Sequence, residues 1–231
     1  MQSTNMKKKN SKTILAALGT LVAFALWTFL IRCVDVQPIG PNGSRVGFAA
    51  INGAFHALTG VHWALYTLTD WLGLVPIGIA LGFAVLGLVQ LIRRKSLLKV
   101  DRDILILGGF YIVVLAAYLL FETVVINFRP VLIDGKLEAS YPSSTTMLAL
   151  CVLPTAMIQL KTRIRGDAVR RAILDILAAF TVFMVVGRLI SGVHWLSDIV
   201  GGVLLSAGLV MLYVFAAKRQ GKSRKNSLAC V

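Results

Sequence analysis

Between Gly187 and Asp198 the chain reads Gly-Arg-Leu-Ile-Ser-Gly-Val-His-Trp-Leu-Ser-Asp. Arg188 carries a permanent charge on a planar fork that matches phosphate oxygens. His194 and Asp198 are four apart, so on a helix they share a face. A carboxylate within reach of one imidazole nitrogen fixes the tautomer and frees the other nitrogen to attack or bind. The stretch sits at the mouth of an apolar segment, where ionisable side chains are costly and their default reading is functional. The structural alternative is a surface arginine beside a helix-capping His/Asp pair.

Two further clusters belong with it. Glu122…Asn127-Phe128-Arg129-Pro130 follows an apolar run. Proline is expected to stop that helix and to set Arg129 at its exit. Glu122 and Arg129 would then lie two helical turns apart on one face, close enough for an ion pair. Tyr141-Pro142-Ser143-Ser144-Thr145-Thr146 opens the next run. Its hydroxyls are expected to cap a helix, and a helix N-terminus is also a ready anion site.

The elements that must position these residues are membrane spans. The chain is 57% hydrophobic and 15% charged, with mean hydropathy +0.80, a membrane composition. Apolar runs at 13–31, 72–92, 104–121, 145–160, 176–187 and 199–217 predict six spans. The fold class is therefore all-α, an integral-membrane six-helix bundle. Residues 48–69 are apolar, but Asn52, His56, Thr59, His62 and Tyr66 recur at helical spacing. That predicts a wet face and an interfacial helix on the outer side. His56 and His62 are read as interfacial polar residues that could roof the site. Trp27, Trp63, Trp71 and Trp195 are expected to form an aromatic belt at the outer face. The organisation is then a basic N-terminus (1–12), a first span with its outer loop (13–47), the interfacial helix (48–69), a core of spans (70–217) and a basic tail (218–231).

The net charge of +14 is a topology signal. Nineteen of the 24 Lys and Arg fall in the N-terminus, the 93–103 and 161–171 loops and the C-terminus. Arg32, Arg45, Arg129, Lys136 and Arg188 are left on the other side. Basic loops stay cytoplasmic, which puts both termini inside a plasma membrane and the clusters on its outer face. This placement fits membrane lipids as partners and argues against nucleic acid. Cys33, Cys151 and Cys230 show neither metal spacing nor a disulfide framework. His194 and Asp198 alone are too few ligands for a metal centre.

In order, Arg129-Pro130, Pro142-Ser143 and Arg188-x5-His194-x3-Asp198 resemble the type-2 phosphatidic acid phosphatase superfamily of membrane lipid phosphatases. The resemblance covers roughly residues 70–217. It implies a metal-independent, cofactor-free phosphohistidine mechanism. His194 is the implied nucleophile and Asp198 its orienting carboxylate. Arg129 and Arg188 clamp the phosphoryl group, and Ser143 with the backbone N–H groups of Ser144 and Thr145 completes the cradle. The implied substrate is a lipid phosphate or diphosphate, such as a polyprenyl diphosphate or a phosphatidate-like lipid.

Two positions depart from that pattern. Glu122 stands where the family has a lysine, and Lys136 is the candidate to supply the missing charge. Thr145 stands where the family has its histidine acid. A positioned acid contributes about 10²–10⁴ in rate. Its loss weighs most on an alkoxide leaving group, whose parent alcohol has a pKa near that of water, about 15.7. It weighs least on a phosphate, whose second pKa is about 6. Lipid diphosphates are therefore the favoured substrates, with Glu122 as an alternative acid. Glu138 is expected to be solvated. The competing function is a lipid-phosphate binder or transporter that keeps the anion cradle without turnover.

Overall fold

The computed structural model describes the backbone of residues 2–228 and the side chains of residues 10–218. Cys230 and the side chains of Lys7–Lys9 and of the basic tail beyond Lys218 lie outside the described residues. The described chain is helical, with only isolated β-bridges between loop residues. Its helices are α1 (Gln2–Cys33), α2 (Ala49–Thr59), α3 (Trp63–Leu72), α4 (Leu74–Arg94), α5 (Arg102–Thr123), α6 (Ser144–Arg163), α7 (Asp167–Ile190) and α8 (Leu196–Leu228). Six segments are long and apolar enough to cross a bilayer: 10–33, 63–94, 102–123, 144–163, 167–190 and 196–218. They overlap the six apolar runs, the second starting nine residues before its run. The fifth begins nine residues earlier than its run, because Asp167 and Arg170 pair across one helical turn (2.5 Å) and let the helix start among charges.

Helix α6 lies at the centre of the bundle. It is the most buried span and the least apolar. Protein rather than lipid surrounds it, so it carries Thr146, Thr155 and Gln159 fully inside. Gln159 donates to the Tyr213 hydroxyl at 2.7 Å, and the Thr155 hydroxyl bonds back to its own helix. The main core joins α1, α5, α6 and α8 through Phe24, Leu107, Phe110, Met147, Cys151 and Leu209. A smaller cluster of Ala149, Leu153 and Met184 seats α7. On the outward faces Leu81, Ile92, Ile112 and Ile176 stay exposed, as helices bathed in lipid require.

Residues 48–69 are not one interfacial helix. The chain breaks at Gly60 (φ +66°). The second half, α3, runs into α4 through Gly73, so 63–94 is a single 32-residue span. The first half, α2, stays separate and packs against α8. Its Asn52 is buried, not wet. Gly192 (φ +71°) allows this closure: a Cβ there would sit 1.9 Å from the Gly60 carbonyl oxygen. The four tryptophans do not form one belt. Trp63 and Trp71 are exposed, whereas Trp195 is buried with its Nε1–H on the Phe128 carbonyl (2.7 Å). Trp27 donates to the Ser197 carbonyl (3.1 Å).

Candidate active site

The C-terminal ends of α5 and α7 and the N-terminal ends of α3, α6 and α8 meet at one end of the bundle. The basic loops 93–102 and 161–171 lie at the opposite end. At this meeting point three segments distant in sequence converge on His194.

Arg188 comes from the last turn of α7 and His194 from the turn that leads into α8. Arg129 arrives by a route the sequence does not suggest. Helix α5 ends at Thr123, well before Pro130. The β-branched run Val124-Val125-Ile126 follows, a poor helical continuation. Residues 127–140 then fold back as a hairpin-like loop. Arg129 N–H donates to the Glu138 carbonyl (3.0 Å), and Ser140 N–H to the Asn127 carbonyl (2.9 Å). The expected Glu122–Arg129 pair is absent among the described residues. Arg129 Nε instead pairs with Glu138 Oε2 at 3.1 Å, so Glu138 is not simply solvated.

Arg129 Nη1 lies 3.3 Å and Arg188 Nη2 3.2 Å from His194 Nε2. A guanidinium only donates, so Nε2 must offer its lone pair and the ring proton must sit on Nδ1. Nδ1 does not meet Asp198 directly. It lies 3.0 Å from the Ser140 hydroxyl, which donates to Asp198 Oδ2 at 2.5 Å. Asp198 also accepts from Asn127 Nδ2 (3.2 Å) and from the Trp195 N–H (3.0 Å). His194 is 3% exposed and Asp198 0%. Burial first, then the charges of Arg129 and Arg188, hold the His194 pKa well below its ordinary 6.5. The ring is therefore neutral, with the Nε2 lone pair turned to the two guanidinium groups.

Arg188 is 1% exposed. It is braced by Asp70 Oδ1 and Thr69 Oγ1, each 3.5 Å from Nη1, and lies over the Tyr66 ring with Cζ 5.0 Å from the centroid. Its Nε is buried without a partner, as is the Ser143 hydroxyl. No hydroxyl caps α6: Ser143 makes no side-chain bond to the helix start. Its N–H instead donates to the Asp198 carbonyl (3.2 Å), which ties the start of α6 to α8. The uncapped N-terminus, the Ser143 hydroxyl and the arginine N–H groups are the donor set that a phosphoryl group needs.

The remaining predicted residues divide. Ser144 and Glu122 line a cleft of about 10 Å³ beside His194, room for about one water. Thr145 instead lines an apolar groove of about 1040 Å³ between α4 and α5, floored by α6. Lys136 sits exposed at the tip of the 133–136 turn and makes no ion pair among the described residues. His56 packs edge-on against Trp195 (5.5 Å), and His62 bonds the Thr59 carbonyl (2.8 Å). Among the described residues no three His, Cys, Asp or Glu side chains converge as a metal site.

Ser140, Asn127, Asp70 and Tyr66 are site residues that sequence reasoning missed. Ser140 lies one residue before the Tyr141-Pro142-Ser143 cluster, and its type permits either a turn or a relay, so proximity was the one available signal. Asp70 sits among apolar residues at the start of a span, where a lone carboxylate already asks for a partner.

These features gather arginine, serine and backbone donors around one buried imidazole at one end of a membrane-spanning bundle. The PAP2 superfamily model matches residues 104–222, just over half of the chain. The chain belongs to the PAP2 superfamily and is a multi-pass integral membrane protein. It is similar to the crystal structure of a transmembrane PAP2-type phosphatidylglycerolphosphate phosphatase from Bacillus subtilis. The identity is 21% and the TM-score 0.51, over 89% of this chain and 96% of that one. No curated protein matches the sequence. Helices α1 to α4, which supply Asp70, Tyr66 and one wall of the groove, precede the matched segment.

Proposed function

We propose that this protein hydrolyses the phosphate or diphosphate headgroup of a membrane lipid through a phosphohistidine at His194. The observation that carries the reading is the approach of two guanidinium groups to the one imidazole nitrogen that keeps its lone pair. Arg129 and Arg188 transfer their N–H groups to the phosphoryl oxygens as the headgroup enters, which uncovers Nε2 for in-line attack. Positioning and fixed charge then supply most of the acceleration, and no metal is required. Ser143 and the free N–H groups at Ser144 and Thr145 complete the cradle.

The groove supports a lipid substrate. It opens beside Asp70, Ser144 and Thr145 and follows α4 and α5 down to Leu97 and Val100. Helix α4 has 21 residues, about 31 Å at about 1.5 Å per residue, comparable to the hydrocarbon thickness of a bilayer. A long chain can lie there while its headgroup reaches His194. Basic loops at the opposite end orient the site outward, with both termini cytoplasmic in a plasma membrane.

Thr145 faces the groove and cannot donate a proton near neutral pH. The substrate class follows from this: a lipid diphosphate, whose departing phosphate needs no acid. Glu122, at the water-sized cleft beside His194, is the residue placed to act on a poorer leaving group or on the hydrolytic water. The test is phosphate release by the purified protein from a polyprenyl diphosphate and from phosphatidate, with His194→Ala as control. Faster release from the diphosphate, abolished in the variant, supports the reading. Tight binding of both lipids without turnover favours the second reading, a non-catalytic lipid-phosphate binder, which the Glu122 and Thr145 departures would suit.

A further inference from the structure

We infer that Ser140 is the proton relay between His194 and Asp198, a positioning residue without which the phosphohistidine step stalls. This rests on the proposed phosphatase reading and deepens it.

Ser140 has one proton to give. Its Oγ lies 2.5 Å from Asp198 Oδ2 and donates to it, so towards His194 Nδ1, at 3.0 Å, it can only accept. Both bonds are therefore directional: Nδ1–H to Ser140 Oγ, and Ser140 O–H to Asp198 Oδ2. Ser140 is buried, as are His194 and Asp198, so bulk water does not serve as the link. Asp198 cannot turn toward the ring without loss. Its oxygens are held by Asn127 Nδ2 and the Trp195 N–H as well as by Ser140.

Attack by the Nε2 lone pair forms an N–P bond, and the bond from phosphorus to the leaving oxygen breaks with its electron pair on that oxygen. The ring acquires positive charge. The Nδ1 proton moves to Ser140 Oγ as the Ser140 proton moves to Asp198 Oδ2, leaving a neutral phosphoimidazole. When water attacks phosphorus, the N–P electron pair returns to the ring and both protons retrace the path to Nδ1. The protons of that water leave with inorganic phosphate. Two protons thus move in concert in each half-reaction, and among the described residues the Ser140 hydroxyl is the group that bridges His194 Nδ1 and Asp198 Oδ2.

The experiment uses the full chain in detergent micelles with geranyl diphosphate as substrate. The readouts are kcat, KM and a proton inventory in H2O/D2O mixtures. The wild-type inventory is expected to bow, as two protons in flight require. Ser140→Ala is expected to lower kcat about 10²–10³-fold, to leave KM within about threefold, and to leave no bow. Ser140→Thr, which keeps the hydroxyl, is expected to restore both rate and curvature. A bow that survives in Ser140→Ala, or an unchanged kcat, overturns the relay. If Ser140→Ala does not fold, the threonine variant decides: a linear inventory there overturns it. His194→Ala separates the two layers. Turnover that survives that change sinks the phosphohistidine reading itself, whereas an inert His194 variant beside a fully active Ser140→Ala sinks the relay alone.

Discussion

Arg129 and Arg188 aim their guanidinium groups at a single atom, His194 Nε2, at 3.3 and 3.2 Å. Like charges do not gather there without compensation. Each arginine has its own carboxylate, Glu138 for Arg129 and Asp70 for Arg188. On the proposed reading, a phosphoryl dianion takes over donors that now rest on an uncharged ring. Lysine keeps the charge and loses the fork. Arg188→Lys is therefore expected to lower kcat/KM on a lipid diphosphate about 10²-fold, and Asp70→Asn to change it much less. Steady-state kinetics of both variants checks this. An Arg188→Lys enzyme of wild-type efficiency would show that the fork is not used.

The six spans and the Gly187–Asp198 cluster were legible in the sequence because each rests on short-range chemistry. Apolar length reports a span, and i,i+4 spacing reports a shared face. What was not legible depends on long-range closure. The spacing of His194 and Asp198 suggests a direct bond. The structure places Ser140, 54 residues from His194, between them. The periodicity of 48–69 reads as one wet helix, but Asn52 and His56 point at protein while His62 stays exposed. Asn52 reaches Ser197 and His56 reaches Trp195, while Gly60 breaks the axis. The helical link between Glu122 and Arg129 failed because the strand-forming Val124-Val125-Ile126 run ended α5 early, and Glu138, from the returning arm, took the arginine.

The His194 environment sets a pH signature. Burial and two neighbouring cations depress its pKa, so the nucleophilic neutral form persists into acid. The acid limb of kcat/KM is expected below the ordinary imidazole value of about 6.5. Arg129→Gln removes one of those charges and should move the limb upward. The stability sign agrees: below about 6.5 the unfolded chain binds a proton that the folded site refuses, so stability falls as pH falls. A pH–rate profile with its limb at or above 6.5, unmoved by Arg129→Gln, would contradict the assignment.

The acid role proposed for Glu122 carries a leaving-group signature. On a diphosphate, Glu122→Gln is expected to retain turnover within about threefold. On an alkyl phosphate monoester it is expected to cost about 10²-fold, the lower end of a positioned acid's contribution. Parallel assays on the two substrate types give the ratio. Equal effects on both would remove Glu122 from any acid role.

Asn52 braces the site from a helix outside the family-matched segment. It is 1% exposed. Its Nδ2 donates to the Gly47 carbonyl (2.8 Å) and to Ser197 Oγ (2.9 Å), and its Oδ1 accepts the Ser197 N–H (3.1 Å). It thereby satisfies a free donor in the first turn of α8, beside Asp198. Asn52→Ala leaves those groups unpaired and is expected to cost about 2 kcal/mol, seen as a lower Tm. Activity should fall with it, because α8 carries Asp198. An unchanged Tm would mean that α2 does not brace α8.

The most direct measurement is to stop turnover of a lipid diphosphate in alkaline denaturant, in which a phosphoimidazole survives, and to locate the phosphate on the protein by mass spectrometry. One phosphoryl group is expected on His194, formed and lost at rates compatible with kcat and absent from the His194→Ala variant. Hydrolysis that proceeds with no phosphohistidine, or with undiminished rate in that variant, would contradict it.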